Sequence, residues 1–99
     1  MPVKTVSDGR ELTALLSGDI DHHAAREIRV LIDGEIEKLR PSRLILDFRR
    51  VKFMDSSGIG LIMGRCRQMQ LIGGVVSLSN VPQTLERIIA LSGVRSLVN

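Results

Sequence analysis

Cysteine and aromatic residues are nearly missing from this chain of 99 residues: it holds one cysteine, no tryptophan, no tyrosine and two phenylalanines. A lone Cys66 excludes an internal disulfide, and its place on the apolar face of a predicted helix makes it a packed thiol more than a reactive one. Phe48 and Phe53 do not form the stacking platform that single-stranded nucleic-acid binders need. The chain carries a net charge of +3 with a pI near 9.8, but its 14 lysines and arginines are spread among 11 acidic residues. Direct nucleic-acid binding is therefore not expected. No apolar run approaches the roughly 20 residues of a membrane-spanning helix. Met1-Pro2-Val3-Lys4-Thr5 also lacks the basic start and apolar core of a secretory signal, which predicts a cytoplasmic protein away from membranes.

What is there reads as one domain over residues 1–99, with 43% hydrophobic and 25% charged residues, a balance that suits a single packed core. Two β-rich stretches, about 2–7 and 11–17, flank Asp8-Gly9, a dipeptide suited to a tight hairpin turn. After the polar stretch Gly18 to His23, the apolar positions Ala25, Ile28, Ile32, Ile36 and Leu39 fall at helical spacing up to Arg40-Pro41. Leu44 to Phe48 is a nearly continuous apolar run, expected to be a central strand covered on both faces. A second helix with Ile59, Ile62, Met63, Cys66 and Met69 on its buried side ends at Gly73-Gly74. Val75 to Leu78 reads as a strand. A third helix starts around Asn80-Val81-Pro82, carries Leu85, Ile88, Ile89 and Leu91 as its apolar stripe, and closes at Ser92-Gly93. Val94 to Asn99 could supply an edge strand. The order β-β-α-β-α-β-α predicts an α/β layer structure with a mixed four- to five-stranded sheet. Right-handed crossovers would bring the loops at 18–23, 49–57 and 79–82 to one sheet edge, with Asp21, His22, Ser56 and Asn80 near one another.

Phe53-Met54-Asp55-Ser56-Ser57-Gly58-Ile59-Gly60-Leu61 places a carboxylate and two hydroxyls where a strand gives way to a helix. Capping of the free N–H groups is one reading of Asp55-Ser56-Ser57. A regulatory phosphorylation site is the other, because a helix start tolerates added negative charge. Gly60 and Gly64 lie about one turn apart, each costing about 1 kcal/mol relative to alanine. Either close helix packing or a surface bared for a partner would offset that cost. The helical phase sets Gly58, Leu61 and Arg65 on a face pointing away from the core, so Leu61 is expected to meet a partner. His22-His23 has no third ligand at useful spacing and implies no metal. A hydrolase with Ser56 or Ser57 as nucleophile and His22 as base lacks both a nucleophile elbow and an oxyanion pair, so no enzyme is expected.

Leu16-Ser17-Gly18-Asp19-Ile20-Asp21-His22-His23-Ala24 and Phe53 through Arg65, together with Ile72-Gly73-Gly74 and Leu91-Ser92-Gly93, resemble STAS-domain anti-anti-sigma factors, particularly the sporulation members. The resemblance implies a STAS fold and a regulator of transcription that needs no cofactor. It implies that Ser56 is phosphorylated by an anti-sigma factor that is also a serine kinase, and that a serine phosphatase restores it. The unphosphorylated form would bind the anti-sigma factor and release the sigma factor, with Asp21, His22, Asp55, Ser57, Gly58, Leu61 and Arg65 at or beside the contact. An alternative within the resemblance is a STAS interaction subunit of a stress-response or lipid-transport complex. Family members usually continue through a further strand and helix after the position of Leu97-Val98-Asn99, so a sheet edge or helix face is expected to be less covered here.

Overall fold

Gly9 takes a positive φ of 63°, and around it the chain folds back so that Val3 pairs with Leu16 and Asp8 with Glu11. This hairpin opens the fold. A computed structural model describes residues 1–99, in the order β1 (Val3–Asp8), β2 (Glu11–Ile20), α1 (His22–Leu39), β3 (Arg43–Met54), α2 (Ser56–Leu71), β4 (Val75–Ser79) and α3 (Gln83–Ser92). The sheet has four strands in the order β1-β2-β3-β4, with β1 antiparallel to β2 and the other two pairings parallel. The expected order of elements holds, at the lower of the two strand counts.

Alternation along the strands decides which face is buried. Leu12, Ala14 and Leu16 of β2 point into the core with Leu44, Leu46 and Phe48 of β3 and Val76 of β4. Ala25, Ile28, Ile32 and Ile36 of α1 meet them, as the helical spacing predicts, while Leu39 is exposed. Arg43, Ile45 and Asp47 occupy the other face of β3 and are half-buried, so the strand is not covered equally on both sides. Polar partners hold that face: Arg43 Nη1 donates to Ser77 Oγ and Arg43 Nε lies 3.6 Å from Glu11 Oε2.

β3 runs well past Phe48, where the sequence predicts a loop from 49. Its register with β2 slips twice: Leu15 faces Asp47 but Ser17 faces Arg50, and Gly18 faces Val51 but Asp19 faces Phe53. Each slip inserts one extra residue into β3, which is a β-bulge. The buried positions therefore run 44, 46, 48, 51, 54, and the period-2 signal is lost while the strand continues. Asp47 Oδ1 accepts the Arg49 N–H at 2.9 Å at the first bulge.

Other differences lie at the ends. Val94–Leu97 is a 3-10 turn with Val94 buried, so no edge strand forms there. Only the Asn99 N–H reaches the sheet, donating to the Val76 carbonyl at 2.7 Å. Leu91, expected in the stripe of α3, is 77% exposed, and Leu85 and Ile89 carry that helix's packing. No helix is long and apolar enough to cross a membrane.

α2 is packed more widely than one stripe predicts. Gly58, Ile59, Leu61, Ile62, Arg65 and Met69 are all buried, while Met63 is 37% exposed and Cys66 half-buried. Burial raises the Cys66 thiol above its ordinary pKa, with Arg65 pulling the other way, which agrees with a packed, unreactive thiol. The two early glycines of α2 differ in what surrounds them. A Cβ on Gly58 would run into Cγ and Sδ of buried Met54, whereas one on Gly60 would meet nothing within 4 Å. Gly58→Ala should therefore lower the urea midpoint, with overpacking costing about 1–3 kcal/mol. Gly60→Ala should raise stability by about 0.5–1 kcal/mol through helix propensity alone. Equilibrium unfolding of both variants checks the pair, and a stable Gly58→Ala protein would refute the packing assigned to Met54.

Candidate functional site at the paired helix starts

β2 and β3 run parallel and finish level, with Ile20 opposite Met54. The next residue in each case is an aspartate. Asp21 caps α1, its Oδ1 accepting the Ala24 N–H at 2.9 Å, and Asp55 caps α2, its Oδ1 accepting the Ser57 N–H at 2.8 Å. The Asp55 N–H donates to the Ile20 carbonyl at 3.3 Å, which ties the second helix start to the strand that leads to the first. Two helix N-termini, with their partial positive charge and unpaired N–H groups, therefore open side by side.

Ser56 is the first residue of α2 and is exposed, with Ser57 half-buried behind it. His22 is the first residue of α1 and also exposed. Between the helices lies a groove of about 410 Å³ lined by His22, Ala25, Arg26 and Arg29 from α1 and by Ser57, Gly60 and Leu61 from α2. Asp21, His22, Asp55, Ser56 and Ser57 thus come together as the sequence predicts.

Four expected positions differ. Asn80 is not beside Ser56, because β4 ends early: Ser79 faces Asp47 in the middle of β3, and Asn80 Nδ2 donates to Asp47 Oδ2 at 2.9 Å. The expectation took the three loops to end level, and the six residues of β3 beyond Phe48 break that assumption. Gly58, Leu61 and Arg65 share a face, but it points inward, because α2 packs against α1 as well as the sheet. Leu61 is only 5% exposed and forms part of the groove floor. Arg65 is buried against α1, with Nε 3.3 Å from Asp33 Oδ1.

The Arg65–Asp33 contact is a charge pair without a well-directed hydrogen bond, since Nε and Nη1 of Arg65 and Oδ1 of Asp33 are buried and unpartnered. Desolvation lowers the Arg65 pKa from its ordinary value, Asp33 opposes the shift, and Arg29 adds to it. Gly60 and Gly64 are not held by close packing, because a Cβ on either would meet nothing within 4 Å. The close-packing reading of these glycines therefore does not hold. His23 stands apart from the groove, its Nε2 3.9 Å from Glu27 Oε1.

Sequence reasoning missed Arg26 and Arg29. Their signal was the spacing His22, Arg26, Arg29, which follows one helix face beside the apolar stripe and points toward the partner helix.

Comparison with known proteins gives the same picture. The STAS domain model matches residues 3–99. An anti-sigma F factor antagonist of Paenibacillus polymyxa is 33% identical over 82 residues, covering 83% of this chain and 70% of that protein. The anti-sigma F factor antagonist of Lysinibacillus sphaericus is 36% identical over 78 residues, 79% of this chain and 67% of that protein. Among solved structures, the anti-sigma factor antagonist SpoIIAA in its unphosphorylated form aligns with a TM-score of 0.86 at 32% identity, covering 98% of this chain and 85% of that one. The phosphorylated form of the Bacillus cell fate determinant SpoIIAA aligns with a TM-score of 0.77 at 32% identity, over 98% and 88%. Level strand ends, twin aspartate caps and an exposed serine at the second helix start thus sit in a chain that belongs to the STAS domain family.

Proposed function

We propose that this protein is a cytoplasmic anti-sigma factor antagonist whose unphosphorylated form binds an anti-sigma factor kinase and releases the sigma factor, and which phosphorylation on Ser56 inactivates. The observation that carries the reading is the placement of Ser56, exposed at the first turn of α2 and flanked by the aspartate caps of two adjacent helices. Relatives named as anti-sigma F factor antagonists and the existence of SpoIIAA in phosphorylated and unphosphorylated forms support it.

Little refolding is needed for such a switch. A phosphoserine carries about −1.5 to −2 charges. The α2 N-terminus accommodates that charge inside the domain. A partner seated on the same surface must instead desolvate it, next to Asp21 and Asp55, and this raises the dissociation rate. Net charge falls from +3 to about +1, so contact energy changes more than long-range steering. The protein is a ligand and a substrate, and the transfer of phosphate from ATP and its removal belong to the partner kinase and a serine phosphatase. A role in sporulation is part of the same proposal and is supported by the similarity to SpoIIAA and to anti-sigma F factor antagonists.

Incubated with its anti-sigma factor kinase and ATP, the chain should gain one phosphoryl group on Ser56, and Ser56→Ala should gain none; intact mass followed by fragmentation reads the site. Phosphate on Ser57 would overturn the assignment. In a binding titration, Ser56→Asp should weaken the complex at least about tenfold, or ~1.4 kcal/mol, while Ser56→Ala binds like the unmodified protein. Equal affinities of the two variants would remove the charge argument.

A further inference from the structure

The groove between α1 and α2 carries more positive charge than a capping junction requires. Arg26 and Arg29 are both exposed, and both line the groove with His22, yet neither forms an ion pair, although Arg43, Arg65 and Arg95 each do. No carboxylate lines it. Its floor is Leu61, nearly buried, and Gly60, above which the space is open. Farther along the same pair of helices the Arg65 side chain, 8% exposed, keeps Nε and Nη1 without hydrogen-bond partners. The two helix N-termini at the mouth are each met by an aspartate cap, so the positive charge of the groove comes from Arg26 and Arg29.

We propose that this groove receives an acidic segment of the anti-sigma partner, whose carboxylates pair with Arg26 and Arg29 while its backbone lies over Gly60. The proposal rests on the antagonist reading and extends it to residues that the serine switch does not use. Charge complementarity selects the occupant: a bidentate arginine fork matches a carboxylate, and two such forks one helical turn apart match acidic residues at similar spacing. A nucleic-acid strand fits less well, because no phenylalanine, tyrosine or tryptophan lines the groove. Contacts of this kind act on the rate of encounter and on its salt dependence.

Surface-plasmon measurements against the anti-sigma factor kinase test the proposal with four proteins: the unmodified chain, Arg26→Glu/Arg29→Glu, Arg26→Lys/Arg29→Lys and Arg87→Glu. Arg87 is exposed on α3 and serves as a control for a charge reversal outside the groove. The double reversal should weaken binding by about tenfold or more, chiefly through kon, and flatten its dependence on salt. The lysine pair, which keeps the charge and loses the fork, should retain most of kon and salt dependence with an affinity between those of the unmodified chain and the double reversal, and Arg87→Glu should change affinity by less than about twofold. Full affinity in the double reversal, or an equal loss in Arg87→Glu, would overturn the proposal. So would a single-stranded RNA probe that binds the unmodified chain and is lost on reversal while kinase binding persists. The underlying antagonist reading fails differently, in that the unmodified chain itself neither binds the kinase nor accepts phosphate on Ser56; the groove proposal then falls with it.

Discussion

The pairing of Ile20 with Met54 at the ends of two parallel strands is the constraint on which the site depends. Everything at the surface above it follows from that level finish. Each strand passes directly into an aspartate that caps a helix, and the Asp55 N–H is bonded back to Ile20. Helix starts that are anchored this way cannot slide relative to each other without breaking ladder hydrogen bonds whose donors and acceptors would then be unpaired. The proposed docking surface needs such rigidity, since its serine, its histidine and its arginines come from separate segments of the chain.

α2 sets the chemistry of the groove because it packs in two directions at once. Ile59, Ile62 and Met69 face the sheet, while Leu61 and Arg65 face α1, so few positions are left to project outward. Glycine at 60 and 64 keeps the remaining strip low, against a helix-propensity cost of about 1 kcal/mol for each. Burying Arg65 against Asp33 also carries a desolvation cost that its imperfect geometry repays only in part. The pair is nonetheless a direct polar link between α2 and α1, whose starts carry Ser56 and His22.

Much of this was legible in the letters. The hairpin at Asp8-Gly9, the stripe of α1, the order of elements and the gathering of Asp21, His22, Asp55, Ser56 and Ser57 could all be read from spacing and turn chemistry, and the family resemblance singled out Ser56. What was hidden had a common cause, namely that period rules assume one partner per element. Leu61 and Arg65 look outward when only the sheet is counted, because the packing of α1 on α2 leaves no signature within either helix. The far half of β3 looks like a loop because Arg49, Arg50 and Lys52 interrupt the alternation, and only the register against β2 shows that they sit at bulges. Asn80 went astray for the same reason, since the length of β3 could not be seen. Arg26 and Arg29 passed as ordinary solvated charges until a neighbouring helix made them the wall of a groove.

The two bulges in β3 also bear on how such a chain can vary. They are the means by which β3 uses two more residues than β2 to cover the same distance, so that both strands end together. A bulge is the place in a ladder where a residue can be taken out without moving its neighbours: without Lys52, Val51 would still face Gly18, Phe53 would still face Asp19, and Met54 would still close the strand on the core side opposite Ile20. Removing Leu46 from the regular ladder would instead turn over the residues on one side of the gap. The two bulges are thus where the length of β3 can change while Asp55-Ser56-Ser57 stays level with the start of the first helix, and the regular half of the strand is where it cannot.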